Sequence, residues 1–557
     1  MKFIVTAKWF IKSNWLLIII FIIALLLRLQ GADFGLPQYY LQPDERRLVE
    51  PAIHMVVDFA YTHDLTKLDP KMYVYPHGGL NIFFIVYLFI FYSLKIIDKL
   101  FNIYPPLFNL LAESDLFLIA RVVVAMFGSF IVLVAYKIAK TLNFNKSWAL
   151  FYALLIAVSF GLVSDSHFAT ANSISIFMGS LSTLFCLIAL QSKLNKKKVL
   201  LYLFMAAFLV GVATSIRNMR VLYFIQIFIV FLAVFKKDYL NLFKYLFVSV
   251  FFVILATLIF SPFVFINSKS FIEDGILGIQ EVQKGGQLGR TSTGIIYPFF
   301  NNNFVDYDQK IPNSLAKNMG VITFVTSVLF ICYKLYKKRE VEDLVLLSVA
   351  VIQILFLIRY PSQMVRWYLN IIPILLIYFT YFSRFLYKKN KLLFIVLALF
   401  VVSTQLFYSF EFSFAKTKKR YKRAASEWIK SSAKFEKAER VYKTFFGPNF
   451  SAIEVNEIEY DYYEYIHYMH ERFTPDASVF FCNKHVTNDY VIVSSYVTKA
   501  YKLNESKLCY PEFSKTWNSF YDYIDNNFIR VKVFEGDKMF DNPGPTITIY
   551  RVQCNDK

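Results

Sequence analysis

The sequence predicts an α-helical polytopic membrane protein with a smaller α/β domain at its C-terminus. Of 557 residues, 57% are hydrophobic and only 18% are charged, whereas soluble domains are about half apolar and about a quarter charged. Twelve apolar runs occupy residues 13–409, and after residue 410 the composition becomes that of an ordinary soluble domain. This composition excludes a disordered chain, a small disulfide scaffold and a simple soluble enzyme.

The apolar runs are the predicted membrane helices, because a bilayer core takes about 17–25 residues of helix, or fewer where a segment is kinked. The first run is predicted to be a retained helix, since it is long and no small-residue cleavage site follows it. The runs lie at 13–30, 80–97, 117–138, 148–163, 173–190, 199–214, 221–235, 243–265, 318–335, 343–358, 367–386 and 391–409.

Lys and Arg in the short loops predict the orientation, because cytoplasmic loops collect basic residues. These loops account for most of the net charge of +20, so no nucleic-acid partner is needed. The clusters lie at 2–12, 137–146, 193–198, 236–244, 334–339 and 384–391. The cluster at 137–146 faces the cytoplasm only if one earlier segment does not cross. We expect Tyr73–Phe101, which is aromatic-rich and contains Lys95, Asp98 and Lys99, to lie at or dip into the outer interface, leaving about eleven crossings.

This topology divides the chain into a transmembrane module at 1–410 and an extracytoplasmic α/β domain at 411–557. The module has a first outer loop at about 31–79 and a long outer loop at about 266–320, with shorter outer segments at 164–172, 215–220 and 359–366. In the tail, residues 423–437 predict a helix, and residues 490–495 and 546–552 predict strands. Polar chemistry is therefore expected on the outer face of a plasma (inner) membrane protein.

The first outer loop contains the acidic pair Asp44 and Glu45, directly after Pro43. One carboxylate can accept a proton from an acceptor hydroxyl while its neighbour binds the acceptor or a divalent ion. A solvated loop with arginines that bind head groups is the alternative.

The second outer loop contains Asp165, His167 and Asn172. Ionisable residues at the edge of a spanning helix are candidates for a functional site. A helix N-cap with a hydrogen-bonded histidine is the other interpretation of the same segment.

Four arginines lie in predicted outer segments, although basic residues are usually found in cytoplasmic loops. Guanidinium groups suit phosphate recognition because their donors form a planar fork, although phospholipid head groups are an alternative ligand for each one. The four are Arg217, Arg220, Arg359 and Arg366.

Other candidate sites carry weaker signals. The long outer loop has Glu273, Asp274, Glu281 and a glycine-rich stretch at 285–289, which matches no phosphate-binding fingerprint. His467 and His470 have no third metal ligand near them in the sequence. Two of Cys482, Cys509 and Cys554 could form a disulfide in an extracytoplasmic tail, but the sequence does not choose which pair.

The order of these motifs resembles the GT-C glycosyltransferases that use polyprenyl-phosphate sugars. The nearest resemblance is to the protein-mannosyltransferase-like and lipid A aminoarabinose-transferase-like branch. The segments that carry it are LQPDE at 41–45, LDP at 68–70, YP at 75–76, HFATAN at 167–172, GVATSIRN at 211–218, RWYLNIIP at 366–373 and GPTITIYR at 544–551.

The resemblance implies that the acidic pair of the first outer loop carries catalysis and that juxtamembrane helices follow the Tyr-Pro segment. Three positions depart from the family pattern. Asn172 stands where aspartate is usual, Gln287 where histidine is common, and Arg217 where lysine is usual. Because an amide is not an anionic ligand, Asn172 puts metal dependence in doubt, and Asp165 is the candidate substitute.

The implied activity is transfer of a sugar from a polyprenyl-phosphate donor to an acceptor hydroxyl, with inversion and with Asp44 as the base. Arg217, Arg220 and Arg366 are the candidate phosphate ligands, and Glu45 is the second catalytic candidate. Whether a divalent ion takes part stays open, with Glu45 and Asp165 as its candidate ligands. The alternatives are a transporter or flippase of lipid-linked saccharides and a membrane-anchored binding protein. The sugar and the acceptor, whether lipid, glycan or protein, are not identified.

Overall fold

The structure, a computed structural model, describes most of the membrane module and part of the tail. The described residues are 2–36, 43–192, 195–236, 238–278, 299, 314–359, 365–417, 428, 440–444, 456–461, 490–495, 511–535, 537–538, 542–543 and 546–553. The α-helices are α1 Lys2–Leu29, α2 Pro43–Thr62, α3 Gly78–Phe101, α4 Glu113–Thr141, α5 Lys146–Val158, α6 Phe160–Asp165, α7 Asn172–Gln191, α8 Lys196–Ile216, α9 Phe224–Val234, α10 Tyr239–Phe260, α11 Pro262–Ile266, α12 Ser268–Ser270, α13 Leu315–Met319, α14 Val321–Lys337, α15 Val341–Leu357, α16 Ile371–Lys389, α17 Lys391–Thr417 and α18 Pro511–Asn527.

Each predicted apolar run forms helix, so the chain is an α-helical polytopic membrane protein. Among the described residues, seven helices are long and apolar enough to cross a bilayer by length and composition: α3, α4, α7, α8, α10, α16 and most of α17. Three further apolar helical segments, at 14–29, 146–158 and 218–234, are shorter. The run at 148–163 breaks after Val158, where the Gln405 side chain of α17 accepts a hydrogen bond from the Phe160 amide at 3.0 Å. A side chain from another helix thus supplies the acceptor for an amide at the start of α6.

Close helix contacts in the bundle depend on small residues at particular positions. At Gly211 of α8, a Cβ atom would lie 2.4 Å from the Val253 carbonyl oxygen of α10. At Gly179 of α7, it would lie 2.5 Å from the ring of Tyr223. Any larger residue would push these helices apart, so the glycines set the distance between them.

The bundle has two ends of different chemistry. The polar end carries Arg121 on α4 and Arg217 at the end of α8, whereas the basic end carries Lys140 on α4 and Lys198 on α8. In each helix the two residues are nineteen positions apart, which corresponds to about 28 Å of helix and matches a bilayer core. The acidic first outer loop and the basic loops therefore belong to opposite ends of the same helices.

α3 keeps its contacts at the polar end. The Asn81 side chain donates to the Phe260 carbonyl at the end of α10 (2.8 Å), and the Tyr87 hydroxyl donates to the Leu116 carbonyl in the first turns of α4 (2.8 Å). Since α4 also begins at the polar end, the segment that contains α3 starts and finishes at that same end of the bundle. These contacts favour the prediction that 80–101 does not span. By length and composition alone, α3 is also long and apolar enough to cross a bilayer.

The described part of the tail contains a mixed sheet. Its strands are β1 Arg440–Thr444, β2 Asn456–Asp461, β3 Tyr490–Ser494, β4 Ile529–Phe534, β5 Asp537–Lys538, β6 Asn542–Pro543 and β7 Ile547–Arg551. Five of them pair in the order β2-β1-β3-β7-β4, with β1 parallel to β2 and β3, and β7 antiparallel to β3 and β4. The two predicted strands are confirmed as β3 and β7.

Several predictions fall outside the described residues. These are the helix at 423–437 apart from its single described residue 428, the glycine-rich stretch at 285–289 with Gln287, Glu281, His467, His470, Cys482, Cys509 and Cys554. The domain boundary at 410 stays a prediction, and α17 continues past it to Thr417.

Candidate active site

Asp44 lies in the first turn of α2, at the polar end of the bundle. Pro43 begins this helix, a position that tolerates proline because its missing N–H would have no helical partner. An acidic side chain in a first turn also interacts favourably with the helix dipole. The Asp44 side chain is nearly buried, with Arg366 Nη1 2.6 Å from Oδ2 and the Tyr75 hydroxyl donating to Oδ1 at 3.3 Å.

Glu45, the next residue, is part of a fully buried ion pair with Arg121 of α4. Arg121 Nε and Nη2 donate to the two carboxylate oxygens, each at 2.8 Å. The remaining nitrogen, Nη1, donates to the carbonyls of Ala32 and Phe34, and the Ala169 amide donates to Glu45 Oε1 at 2.6 Å. This network ties the start of α2 to α4, to the turn after α1 and to the second outer loop. It fixes where the neighbouring Asp44 points.

Asp165 ends α6 and faces the first residues of α7. Its oxygens accept hydrogen bonds from Asn172 Nδ2 and Ser173 Oγ, both at 3.0 Å. Burial raises the pKa of Asp165, while these two hydrogen bonds and then the charges of Arg366 and Arg217 act to lower it. Asn172 is therefore suited to its place, because an amide donates to Asp165 where a second carboxylate would repel it.

Arg217 and Arg366 act on the carboxylate of Asp165 from different elements. Arg217 follows the last residue of α8, and its guanidinium carbon lies 4.6 Å from the centre of the Tyr75 ring. Arg366 lies in a 3₁₀ turn, Val365–Trp367, just before α16, and its side chain is 24% exposed. Both cations act electrostatically on Asp165, and Arg366 also pairs with Asp44.

Two predicted residues have other surroundings. Arg220 is buried and donates to Ser175 Oγ at 3.1 Å. His167 is fully buried, with Nδ1 2.8 Å from the Val163 carbonyl and Nε2 3.1 Å from the Gln30 carbonyl. Because both ring nitrogens face backbone oxygens, His167 is suited to holding the second outer loop rather than to binding a metal or substrate.

Comparison with known proteins agrees with this architecture. The chain is similar to the crystal structure of the Archaeoglobus fulgidus oligosaccharyltransferase in its apo form, with 14% identity, a TM-score of 0.53, and coverage of 97% of this chain and 76% of that one. It is also similar to ArnT from Cupriavidus metallidurans, with 11% identity, a TM-score of 0.51 and 98% of both chains covered. The chain has the GT-C fold.

Within this GT-C chain, residues 106–273 match the family described as dolichyl-phosphate-mannose-protein mannosyltransferase. No curated protein sequence matches the chain. A second ArnT structure, bound to undecaprenyl phosphate, aligns over 99% of both chains with a TM-score of 0.51 and 11% identity. The resemblance inferred from the motifs is confirmed at the level of the fold.

In the part of the chain that the structure describes, the surroundings of Glu45 and Asp165 do not fit a divalent-cation site. Both oxygens of Glu45 and both oxygens of Asp165 already accept hydrogen bonds from the protein, and Arg217 and Arg366 add positive charge beside Asp165. Among the described residues, no group of three or more His, Cys, Asp and Glu side chains is arranged to hold a metal ion. The expectation that Glu45 or Asp165 is a metal ligand therefore has no support from the geometry.

Sequence reasoning missed Arg121 and Arg28, two fully buried cations. Arg28, in the last turn of α1, donates to the carbonyls of Ala24 and Ala157. In the sequence, each of these arginines is a single charged residue within or at the end of an apolar run, and this pattern could have identified both. Such a residue almost always faces the bundle interior, because lipid cannot solvate it.

In the long outer loop, Glu273 and Asp274 lie on a π-helical turn, Phe271–Gly278, and both are exposed. We assign these two carboxylates no part in the site.

Proposed function

We propose that this protein is a membrane glycosyltransferase that moves a sugar from a polyprenyl-phosphate donor to an acceptor hydroxyl. One observation carries the proposal: a carboxylate at a helix N-terminus, Asp44, meets Arg366 and Tyr75 at one end of a GT-C bundle, beside Arg217 and Asp165. This combines a candidate base with cations suited to a phosphate.

The donor's lipid phosphate is assigned to Arg366 and Arg217, with Arg220 contributing positive charge. Related structures support a lipid phosphate ligand, because the similar ArnT is bound to undecaprenyl phosphate. An archaeal oligosaccharyltransferase with a TM-score of 0.50 and 14% identity is in complex with dolichol-phosphate and an inhibitory peptide. In this chain, the partly exposed Arg366 pairs with the candidate base, with Nη1 2.6 Å from Asp44 Oδ2.

In the proposed reaction, Asp44 accepts the proton of the acceptor hydroxyl while the hydroxyl oxygen attacks the anomeric carbon. The bond to the phosphate oxygen breaks on the opposite face, so the configuration inverts. Positive groups preorganised around the departing phosphate stabilise its growing charge. In this proposal, Arg366 can pair with either of two anions, the Asp44 carboxylate or the donor phosphate. When the phosphate binds Arg366, the ion pair with Asp44 weakens, and the Asp44 carboxylate becomes a stronger base.

Glu45 acts in this proposal as a positioning residue, because both of its oxygens are held by Arg121 and Ala169. Asp165 helps to hold the cations, and Asn172 orients Asp165. His167 has a structural part in the second outer loop.

The proposed site faces the outside of a plasma (inner) membrane. The basic clusters lie at the opposite end of the bundle, and cytoplasmic loops collect Lys and Arg. The tail, which follows α17 from the polar end, belongs to the same extracytoplasmic side. Polyprenyl-linked donors reach such a site laterally from the outer leaflet.

A transporter of lipid-linked saccharides is the alternative. Transporters place ionisable groups and broken helices near the midplane of the membrane. Here the carboxylates and arginines named above gather at one end of the bundle, which favours an enzyme over a transporter.

The decisive experiment compares cells with and without this gene by mass spectrometry of surface glycans, lipid A and glycoproteins. We expect one sugar to be lost from one acceptor class, and its polyprenyl-phosphate donor to accumulate. Purified protein in vesicles that moves a labelled lipid-linked sugar across the bilayer, without transferring it, would instead identify a transporter.

A further inference from the structure

The first outer loop contains an irregular segment, residues 69–77, that side chains hold in place. Asp69 accepts the Lys71 amide at 3.0 Å, and both of its oxygens accept the Tyr73 hydroxyl at 2.8 Å. Burial, followed by the hydrogen bond to Asp69, raises the pKa of Tyr73 to about 12, so its hydroxyl keeps its proton at neutral pH. A segment without helix or strand needs such side-chain bonds to take one conformation.

The beginning of the long outer loop supplies the other half of this cluster. The Asn267 side-chain amide, between α11 and α12, donates to Asp69 Oδ2 at 2.8 Å and to the Tyr73 hydroxyl oxygen at 2.6 Å. A Cβ atom at Gly275 would lie only 2.4 Å from the Tyr73 carbonyl oxygen. Two segments that are almost two hundred residues apart in sequence are therefore in close contact.

The same segment carries Tyr75, two residues after Tyr73. Its hydroxyl donates to Asp44, and its ring lies beneath Arg217. On the other side, the fully buried His77 is 2.9 Å from the Met72 carbonyl through Nε2. Tyr75 therefore lies in sequence between Tyr73 and His77, both of which are held by hydrogen bonds. The position of Tyr75 depends on these two neighbours.

We infer that Asp69, Tyr73 and Asn267 form a clamp that positions Tyr75 against Asp44, so that the contact of residues 267–275 with the first outer loop completes the site. The inference rests on the proposed function of Asp44 as the base. Asn267 is a positioning residue, because it acts only through Tyr73 and Tyr75. The clamp couples the start of the long outer loop to the base.

A double-mutant cycle between Asn267 and Tyr75 tests the coupling in the full-length protein. Asn267→Ala is expected to lower kcat about 10- to 100-fold, since small displacements of catalytic groups are costly. Tyr75→Phe removes the hydrogen bond to Asp44 directly, and adding Asn267→Ala to it should cause little further loss. Fully additive losses would overturn the inference, and so would an Asn267→Ala variant with wild-type kcat.

Exchanging the side chains of Asn267 and Asp69 provides a test by rescue of activity. Asn267→Asp alone places two carboxylates together and should impair activity severely. Combining it with Asp69→Asn restores an amide–carboxylate pair of reversed polarity, and we expect most of the activity to return. An exchanged protein that folds but stays as inactive as Asn267→Asp would contradict the inference.

Asn109→Ala is the matched control, because it removes a hydrogen bond between a tyrosine and an asparagine on an exposed surface, where the Tyr61 hydroxyl donates to Asn109 Oδ1 at 3.2 Å. Its kcat should equal that of the wild type. The clamp can also be tested without any transfer assay, since Asn267→Ala and Tyr73→Phe should give non-additive losses of Tm. Non-additive Tm losses together with an active Asp44→Asn variant would mean that the clamp exists and that Asp44 is not the base.

Discussion

Arg366 and Asp44 form an ion pair across the polar end of the bundle, with 2.6 Å between Nη1 and Oδ2. The carboxylate comes from the first turn of α2, and the guanidinium from the turn before α16. The pair joins the candidate base to a candidate phosphate ligand, so substitutions at its two ends should have different kinetic signatures.

Asp44→Asn should abolish transfer. The amide keeps the shape of the side chain but does not accept the proton of an acceptor hydroxyl, and base catalysis contributes about 100- to 10,000-fold. Initial rates of transfer from a labelled donor measure the loss. Asp58→Asn, an exposed change on the same helix, should leave the rate unaltered. Full activity in Asp44→Asn would remove this residue from the mechanism.

Arg366→Ala should weaken donor binding and lower kcat, because the phosphate loses a cation in both the ground state and the transition state. Loss of one such electrostatic contact costs about 100- to 1,000-fold in kcat, and lysine restores little because it lacks the planar fork. Arg359→Ala is the matched control, since Arg359 is exposed. Unchanged KM and kcat in Arg366→Ala would exclude Arg366 as a phosphate ligand.

Glu45→Gln should destabilise the protein, because Arg121 would remain buried without its carboxylate. Breaking a buried ion pair costs about 3–5 kcal/mol. Thermal unfolding in detergent is the measurement, and Glu45→Gln combined with Arg121→Met should recover part of the loss. Glu50→Gln on the same helix is the control, because its pair with Arg46 is exposed and such pairs contribute about 0–1 kcal/mol. Equal effects at the two glutamates would contradict the buried-pair argument.

Transfer should survive removal of divalent ions. The carboxylates that are near Arg217 and Arg366 are already hydrogen-bonded to protein groups, and the arginines supply the positive charge. The test is activity in EDTA, with Mg²⁺ or Mn²⁺ added back. Asn172→Asp sets a second carboxylate against Asp165, and only this variant should respond to the ions. A wild-type enzyme that needs Mg²⁺ for activity would refute the prediction.

α3 should have both ends on the side of Asp44. In a cysteine-free variant of the full chain, Lys99→Cys is expected to react with an impermeant maleimide added outside intact cells. Lys197→Cys, an exposed position in the first turn of α8 at the basic end, should react only after the membrane is permeabilised. Protection of Lys99→Cys in intact cells would show that α3 crosses the membrane.

Much of the fold follows from local sequence. Each apolar run predicts a helix because about twenty apolar residues have no other stable structure in lipid. The strands β3 and β7 follow from β-branched and aromatic runs, whereas α2 falls in the first outer loop, where no helix was predicted. Asp44, Arg217 and Arg366 were identifiable as candidates because charged residues at the ends of apolar helices are uncommon.

The sequence by itself determined the membrane class, the apolar helices and the strands β3 and β7. Tertiary structure alone decided which charges are paired, because a hydrogen bond between Arg121 and Glu45 spans 76 positions and one between Asn267 and Asp69 spans 198. Helical and strand periodicity is local, so it does not report such contacts. Only packing of the bundle separated Glu45, which is held by Arg121, from Asp44, which is directed at Arg366.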